Sequence, residues 1–101
     1  MRFLMMITAP HEQFNSGVKD GSSGKTMQDI LGELKPEAAY LTEINGKRTF
    51  VLVVNMNETS EMPKYAEPFF LKFNADVQFH PAMLPEDLAK AGLDALGKKW
   101  G

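Results

Sequence analysis

The chain has 101 residues, a length that suits one domain, so residues 1–101 are read as a single unit. Its 13 acidic and 11 basic residues leave a net charge of −2 with Lys and Arg scattered, which gives no footprint for nucleic acid. It has no cysteine, which excludes disulfides, thiolate metal sites and cysteine nucleophiles, and its two histidines make a zinc site dependent on carboxylates.

The segment from Met1 to Ile7 superficially resembles a signal peptide, but its apolar core is shorter than an h-region and no small-residue cleavage site follows. No stretch approaches the roughly 18 apolar residues of a membrane span. A cytoplasmic protein with no membrane partner is expected. Residues 3–8 read as a first strand, apolar on both faces. Ala9-Pro10 ends it. Phe14 and Val18 then mark one face of a short helix, which Gly17 weakens and residues 20–24 interrupt. Thr26 with Asp29 resembles a capping box that starts a second helix, in which Met27, Ile30, Leu31 and Leu34 share a face until Pro36 stops it.

Residues 38–44 form a weaker strand, with Tyr40, Thr42 and Ile44 on one face. Asn45-Gly46 is a preferred two-residue hairpin turn, because both positions tolerate positive φ. It leads into residues 49–56, the longest β-branched, apolar run. Phe50, Leu52, Val54 and Met56 point one way, and Val51 and Val53 the other, so this strand needs cover on both sides. Met62, Tyr65, Ala66, Phe69, Phe70 and Phe73 trace a helical stripe. Pro63 suits its first turn, while Pro68 predicts a kink or an end to the regular part. Residues 77–82 read as a fourth strand, placed at an edge by Pro81. Pro85 opens a C-terminal helix through about residue 96, followed by a tail carrying Trp100. That tail is expected to dock on its own subunit or on a partner.

The order β-α-β-β-α-β plus a C-terminal helix predicts an α+β, ferredoxin-like fold with a four-stranded antiparallel sheet in the order 4-1-3-2. The first and third strands are then central, and both are apolar on two faces. With helices on one face only, the other face calls for a cover, and a second copy of the chain supplies one economically.

Three stretches carry a resemblance: Ala66-Glu67-Pro68-Phe69-Phe70-Leu71, Phe73-Asn74-Ala75-Asp76-Val77, and Pro81-Ala82-Met83-Leu84-Pro85-Glu86-Asp87-Leu88. With them the chain resembles small bacterial members of the dimeric α/β-barrel superfamily, in which two ferredoxin-like subunits pack sheet to sheet. The resemblance implies that fold and a homodimer. The superfamily includes muconolactone isomerase-like enzymes, small monooxygenases, haem-degrading proteins and members with no known activity. It offers no single catalytic motif to transfer, so function by this route is analogy.

Gly21-Ser22-Ser23-Gly24-Lys25-Thr26 ends in the GKT of a phosphate loop, but Lys19 stands where the motif needs glycine. A flexible connection is the simpler reading, with anion binding by Lys25 as the remaining one. His80, mid-strand beside Pro81, is a candidate general base, since a neutral imidazole titrates near physiological pH; the alternative is a hydrogen-bonded strand-end residue. His11, at the junction of strand and helix, can pair with Asp76 at the start of the fourth strand, or can sit solvated. Tyr40 and Tyr65 can offer hydroxyls to a pocket between sheet and helices, or can be core and rim residues. Glu43 and Arg48 read as solvated residues or cross-strand partners. The Met62/Phe69/Phe70/Phe73 stripe reads as core.

Three functional readings follow. In the first, a homodimeric barrel binds a small, partly apolar molecule between sheet and helices. In the second, the same architecture is a cofactor-free isomerase, lyase or monooxygenase with His80 or His11 as base and a tyrosine assisting. In the third, a dimeric interaction module holds no ligand. No cofactor or metal is expected in any of them.

Overall fold

A computed structural model describes the chain from Met1 to Gly101. Four strands, β1 (Arg2–Thr8), β2 (Ala38–Ile44), β3 (Lys47–Asn55) and β4 (Asp76–Ala82), form one open antiparallel sheet in the order β2-β3-β1-β4. Read from the β4 edge, this is 4-1-3-2. Helices α1 (His11–Asp20) and α2 (Ser22–Leu34) connect β1 to β2, and α3 (Met62–Phe73) connects β3 to β4. Helices α4 (Pro85–Lys90) and α5 (Leu93–Trp100) follow the sheet. The molecule is α+β.

The alternation of β3 is resolved into its two coverings. Phe50, Leu52, Val54 and Met56 are buried, and they join Met5 and Ile7 of β1 beneath Met27, Ile30 and Leu34 of α2 and Tyr65, Phe69 and Phe73 of α3. Ring packing ties the layers together. Phe14 stacks on Phe73 with centroids 5.2 Å apart, and Phe50 lies 5.8 Å from Phe14. Val51 and Val53 look the other way. Register places Val51 between Tyr40 and Met6, and Val53 between Ala38 and Leu4. This second face has no helix over it.

The hairpin forms as its turn residues dictate, with Asn45 at φ 54° and Gly46 at φ 76°. The α1–α2 junction differs from expectation. The second helix begins at Ser22, four residues ahead of Thr26, so residues 22–24 are helical rather than a loose interruption. A single residue, Gly21 at φ 82°, makes the whole turn. Asp20 accepts a 2.8 Å bond from the Ser22 N–H, and the Ser22 hydroxyl and N–H hold its carboxyl below the usual range. That local cap takes the part assigned to Thr26 and Asp29; Asp29 pairs with Lys25 instead, at 3.1 Å.

Gly17 also has a structural reason. A Cβ there would meet the Ser23 Oγ at 2.0 Å and its Cβ at 3.1 Å, so the glycine lets α2 cross close to α1. Helix α3 runs through Pro68 to Phe73 without ending. The bond Pro68 lacks falls at the carbonyl of exposed Lys64, and the buried faces of Tyr65, Phe69 and Phe73 hold the helix regardless. At its entry, Glu61 accepts bonds from the N–H groups of Asn57 (2.7 Å) and Glu58 (2.9 Å).

The C-terminal segment is two helices rather than one helix and a tail. Gly92 at φ 72° breaks the run, and Trp100 is helical. It does not dock on its own subunit: Trp100 is 76% exposed, and no residue after Ala75 is buried. The radius of gyration is 17.0 Å, against about 13 Å for a compact chain of this length. The long axis is 59 Å, whereas the nine residues of β3 span about 30 Å. Residues 83–101 are an arm that leaves the body.

Candidate functional site

The helix layer stops short of the β2 edge. Leu41, on the helix-facing side opposite Phe50, is 70% exposed. The uncovered strip becomes a groove of about 550 Å³ between α1, α2 and the sheet. Phe14 and Val18 of α1, Met27 and Leu31 of α2, Leu41 and Phe50 form its apolar lining. Gly17, Gly21 and Gly24 lie along it, and their lack of side chains leaves space beside the two helices. Its volume lies within the range of small-molecule sites, which are mostly apolar with a few polar groups. The polar groups here are Ser23 and Gln28. The Ser23 hydroxyl already donates to the Phe14 carbonyl at 3.3 Å, and every buried side-chain polar atom in the molecule has a partner. Apolar surface and shape are therefore what this groove offers.

Arg48 frames the groove from the hairpin. It stacks over Phe14, 4.7 Å from the ring centroid, and its Nη1 donates to Asn15 at 2.8 Å. It is the cross-strand register partner of Glu43, as expected, but the two are not ion-paired: the Glu43 carboxylate accepts from the Gly46 N–H of the turn. Spacing puts Arg48 on the same face of β3 as Phe50, two residues on, but its contact with Phe14 joins residues far apart in sequence.

The polar candidates do not converge on the groove. Tyr65 is buried and its hydroxyl donates to the Asn55 carbonyl at 3.2 Å, a satisfied core tyrosine rather than a pocket group. Tyr40 lies on the open face, 63% exposed, and not between sheet and helices. His80 is on that same open face, opposite Leu4, and its Nε2 bonds Gln78 at 3.2 Å, with no carboxylate to orient it. Tyr40 and His80 sit on opposite edge strands, three strand spacings or about 14 Å apart. His11 is exposed at the start of α1, and no hydrogen bond or ion pair joins it to Asp76. Lys25 projects from an exposed face of α2 to Asp29.

A second depression of about 360 Å³ lies across α1 and α2, among Glu12, Asp20, Lys72 and the hydroxyls of Ser16, Ser22 and Thr26. Its two carboxylates and one ammonium set no single charge toward a ligand. No group of three or more acidic or histidine side chains is close enough to hold a metal ion. No helix is long and apolar enough to cross a membrane.

Comparison with protein-family models gave no match, and comparison with curated proteins gave none.

Proposed function

We propose that the protein is a cytoplasmic, ferredoxin-like subunit that pairs through its open sheet face into a dimeric α/β barrel and binds a small, largely apolar molecule between sheet and helices. The observation that carries the binding is the groove beside Leu41, an apolar depression whose floor is the buried Met27 and Phe50 and whose sides include Phe14 and Leu31. Those side chains offer dispersion and apolar burial, and no titratable group lines the space. The ligand class is an aryl or short alkyl compound without a formal charge.

The pairing is supported by the row of Leu4, Met6, Val51 and Val53 on the uncovered face, all half-buried within one chain. A histidine-base reaction would require His80 of one chain to meet Tyr40 of the other across that face, since within a chain they stand at opposite edges.

Titration of the protein with neutral naphthalene- and indole-class compounds, followed by ligand-observed NMR, tests the groove. Val18→Arg puts a charge at its mouth on a side chain that is already exposed, so folding is spared. Binding that weakens by roughly tenfold or more in this variant is the expected result. Undetectable binding to the wild type, or equal binding to the variant, overturns the assignment.

A further inference from the structure

One end of the sheet gathers methionine. Three of the seven methionines, Met1, Met56 and Met62, line one cleft of about 150 Å³ together with Phe3 and Glu58. Each comes from a different element, and the backbone fixes how they meet. Met1 and Met56 stand one residue beyond Arg2 and Asn55, the paired ends of β1 and β3. The Met1 ammonium donates to the Met56 carbonyl at 3.1 Å, and the Met56 N–H donates back to the Met1 carbonyl at 2.9 Å. Residues that exchange both bonds lie directly opposite, with side chains on one face and Cβ atoms about 5 Å apart. That face is the one beneath the helices, because Met56 alternates in step with the buried Leu52 and Val54, and Met1 with Phe3 and the buried Met5. Met62 is the first residue of α3 and starts the stripe that continues through Tyr65, Ala66 and Phe69 onto the same face. Tyr65 pins that helix over the end of β3 through its 3.2 Å bond to the Asn55 carbonyl, and the reciprocal bonds of Glu58 and Glu61 hold the turn between them.

We propose that this cleft is a binding site for one soft monovalent cation, Cu(I), held by the three thioethers. Thioether sulfur is a neutral, polarisable donor that suits Cu(I), whereas carboxylate and carbonyl oxygens suit Mg²⁺, Ca²⁺ and Mn²⁺. The donors differ in burial in a way that serves capture. Met56 forms the floor at 3% exposed, while Met62 at 37% and Met1 at 69% stand at the rim. A fixed floor donor receives the ion, and two unbranched side chains with three rotatable bonds each can close on it from solvent. The charges about the mouth cancel, since Glu58 and Glu61 stand near the Met1 ammonium and Lys64. The cost of stripping water from an ion climbs steeply with its charge, so a neutral, sulfur-lined cleft favours a monovalent ion. The cleft shares no residue with the groove beside Leu41, and the proposal rests neither on that groove nor on the pairing of sheets.

The seven methionine methyls supply both the probe and its control. The untagged wild-type chain, labelled with carbon-13 at those methyls, is titrated in chloride-free buffer with Ag(I), a redox-inert ion of the same charge and softness. The expected result is saturation at one ion per chain, with the methyls of Met1, Met56 and Met62 shifting and those of Met6 and Met83, which lie outside the cleft, staying in place. Cu(I) supplied anaerobically in dilute acetonitrile should shift the same three methyls. Met62→Leu conserves volume at a partly exposed position, so it should melt as the wild type does while binding either ion roughly tenfold or more weakly. Met83→Leu should bind as the wild type does. No shift with either ion, shifts spread evenly over all seven methyls, or equal binding by Met62→Leu would overturn the site. Shifts with Ag(I) and none with Cu(I) would overturn the choice of ion.

Discussion

Residues 2–82 and residues 83–101 are written in the same amphipathic code and end in opposite states. In the body, the stripe of α3 buries Tyr65, Ala66, Phe69 and Phe73 against the sheet. In the arm, the stripe of α4 and α5 buries nothing. The difference lies in the connections. The entries themselves are alike, since Glu58 and Leu84 are both extended and both carry a reciprocal acidic cap, but α3 joins two strands of one sheet and returns to it, whereas α4 and α5 lie beyond the fourth strand. Periodicity tells which face of an element calls for cover; chain geometry decides whether that cover comes from the same molecule.

The contrast is broken most directly by matched truncations. Phe69 is fully buried, and Phe69→Ala should cost about 3–5 kcal/mol in denaturant unfolding, enough to threaten the fold. Leu96→Ala, a truncation on an apolar stripe of the same kind, should change the unfolding free energy of the dilute monomer by less than about 0.5 kcal/mol. Comparable losses in the two variants would show that the arm packs on its own body.

A smaller effect separates two glycines in the helix layer. Gly17 faces Ser23 at close range, whereas a Cβ at Gly32 meets nothing within 4 Å. Gly17→Val should destabilise by about 1–3 kcal/mol by forcing α1 from α2. Gly32→Ala should stabilise by about 0.5–1 kcal/mol through helix propensity and a less flexible unfolded chain. Thermal melts of the two variants should move in opposite directions; a shift of the same sign in both would refute the close-crossing account.

The smallest effect is electrostatic. The N–H groups of Glu58 and Asn57 hold the Glu61 carboxyl below its ordinary value of 4.5. A depressed folded value means that the unfolded chain binds the proton more readily. The stabilisation is therefore present above pH 4.5 and is lost as pH falls through the folded value. Glu61→Gln should melt below the wild type at neutral pH, and the gap should close on acidification below 4.5. A gap that stays constant with pH would remove the charge from the explanation.

Much of the body was legible from local chemistry. Asn45-Gly46 set the hairpin, and the doubly apolar first and third strands placed themselves mid-sheet, because both features depend on residues adjacent in the chain. Four things were not legible. The start of α2 at Ser22 depended on Asp20 capping from outside the helix. The passage of α3 through Pro68 depended on the burial of Tyr65, Phe69 and Phe73 in the core. The break at Gly92 competed with a stripe that looked continuous. Arg48 over Phe14 is a contact between residues far apart in sequence. The groove had no motif at all: it is the space left when two helices turn on Gly21 and cross at Gly17 without reaching Leu41. The candidate side chains His80, Tyr40, Tyr65, His11 and Lys25 were chosen by chemical type, and type does not bring residues together. Register sent Tyr40 and His80 to opposite edges of one face, and packing gave the Tyr65 hydroxyl to Asn55.

The central claim is that the open sheet face, uncovered in one chain, is covered by a second copy. Sedimentation equilibrium of the intact wild-type chain in low micromolar solution tests it. The account predicts the mass of two chains, falling to one on dilution. A stable, folded species with the mass of one chain across the whole range would contradict it.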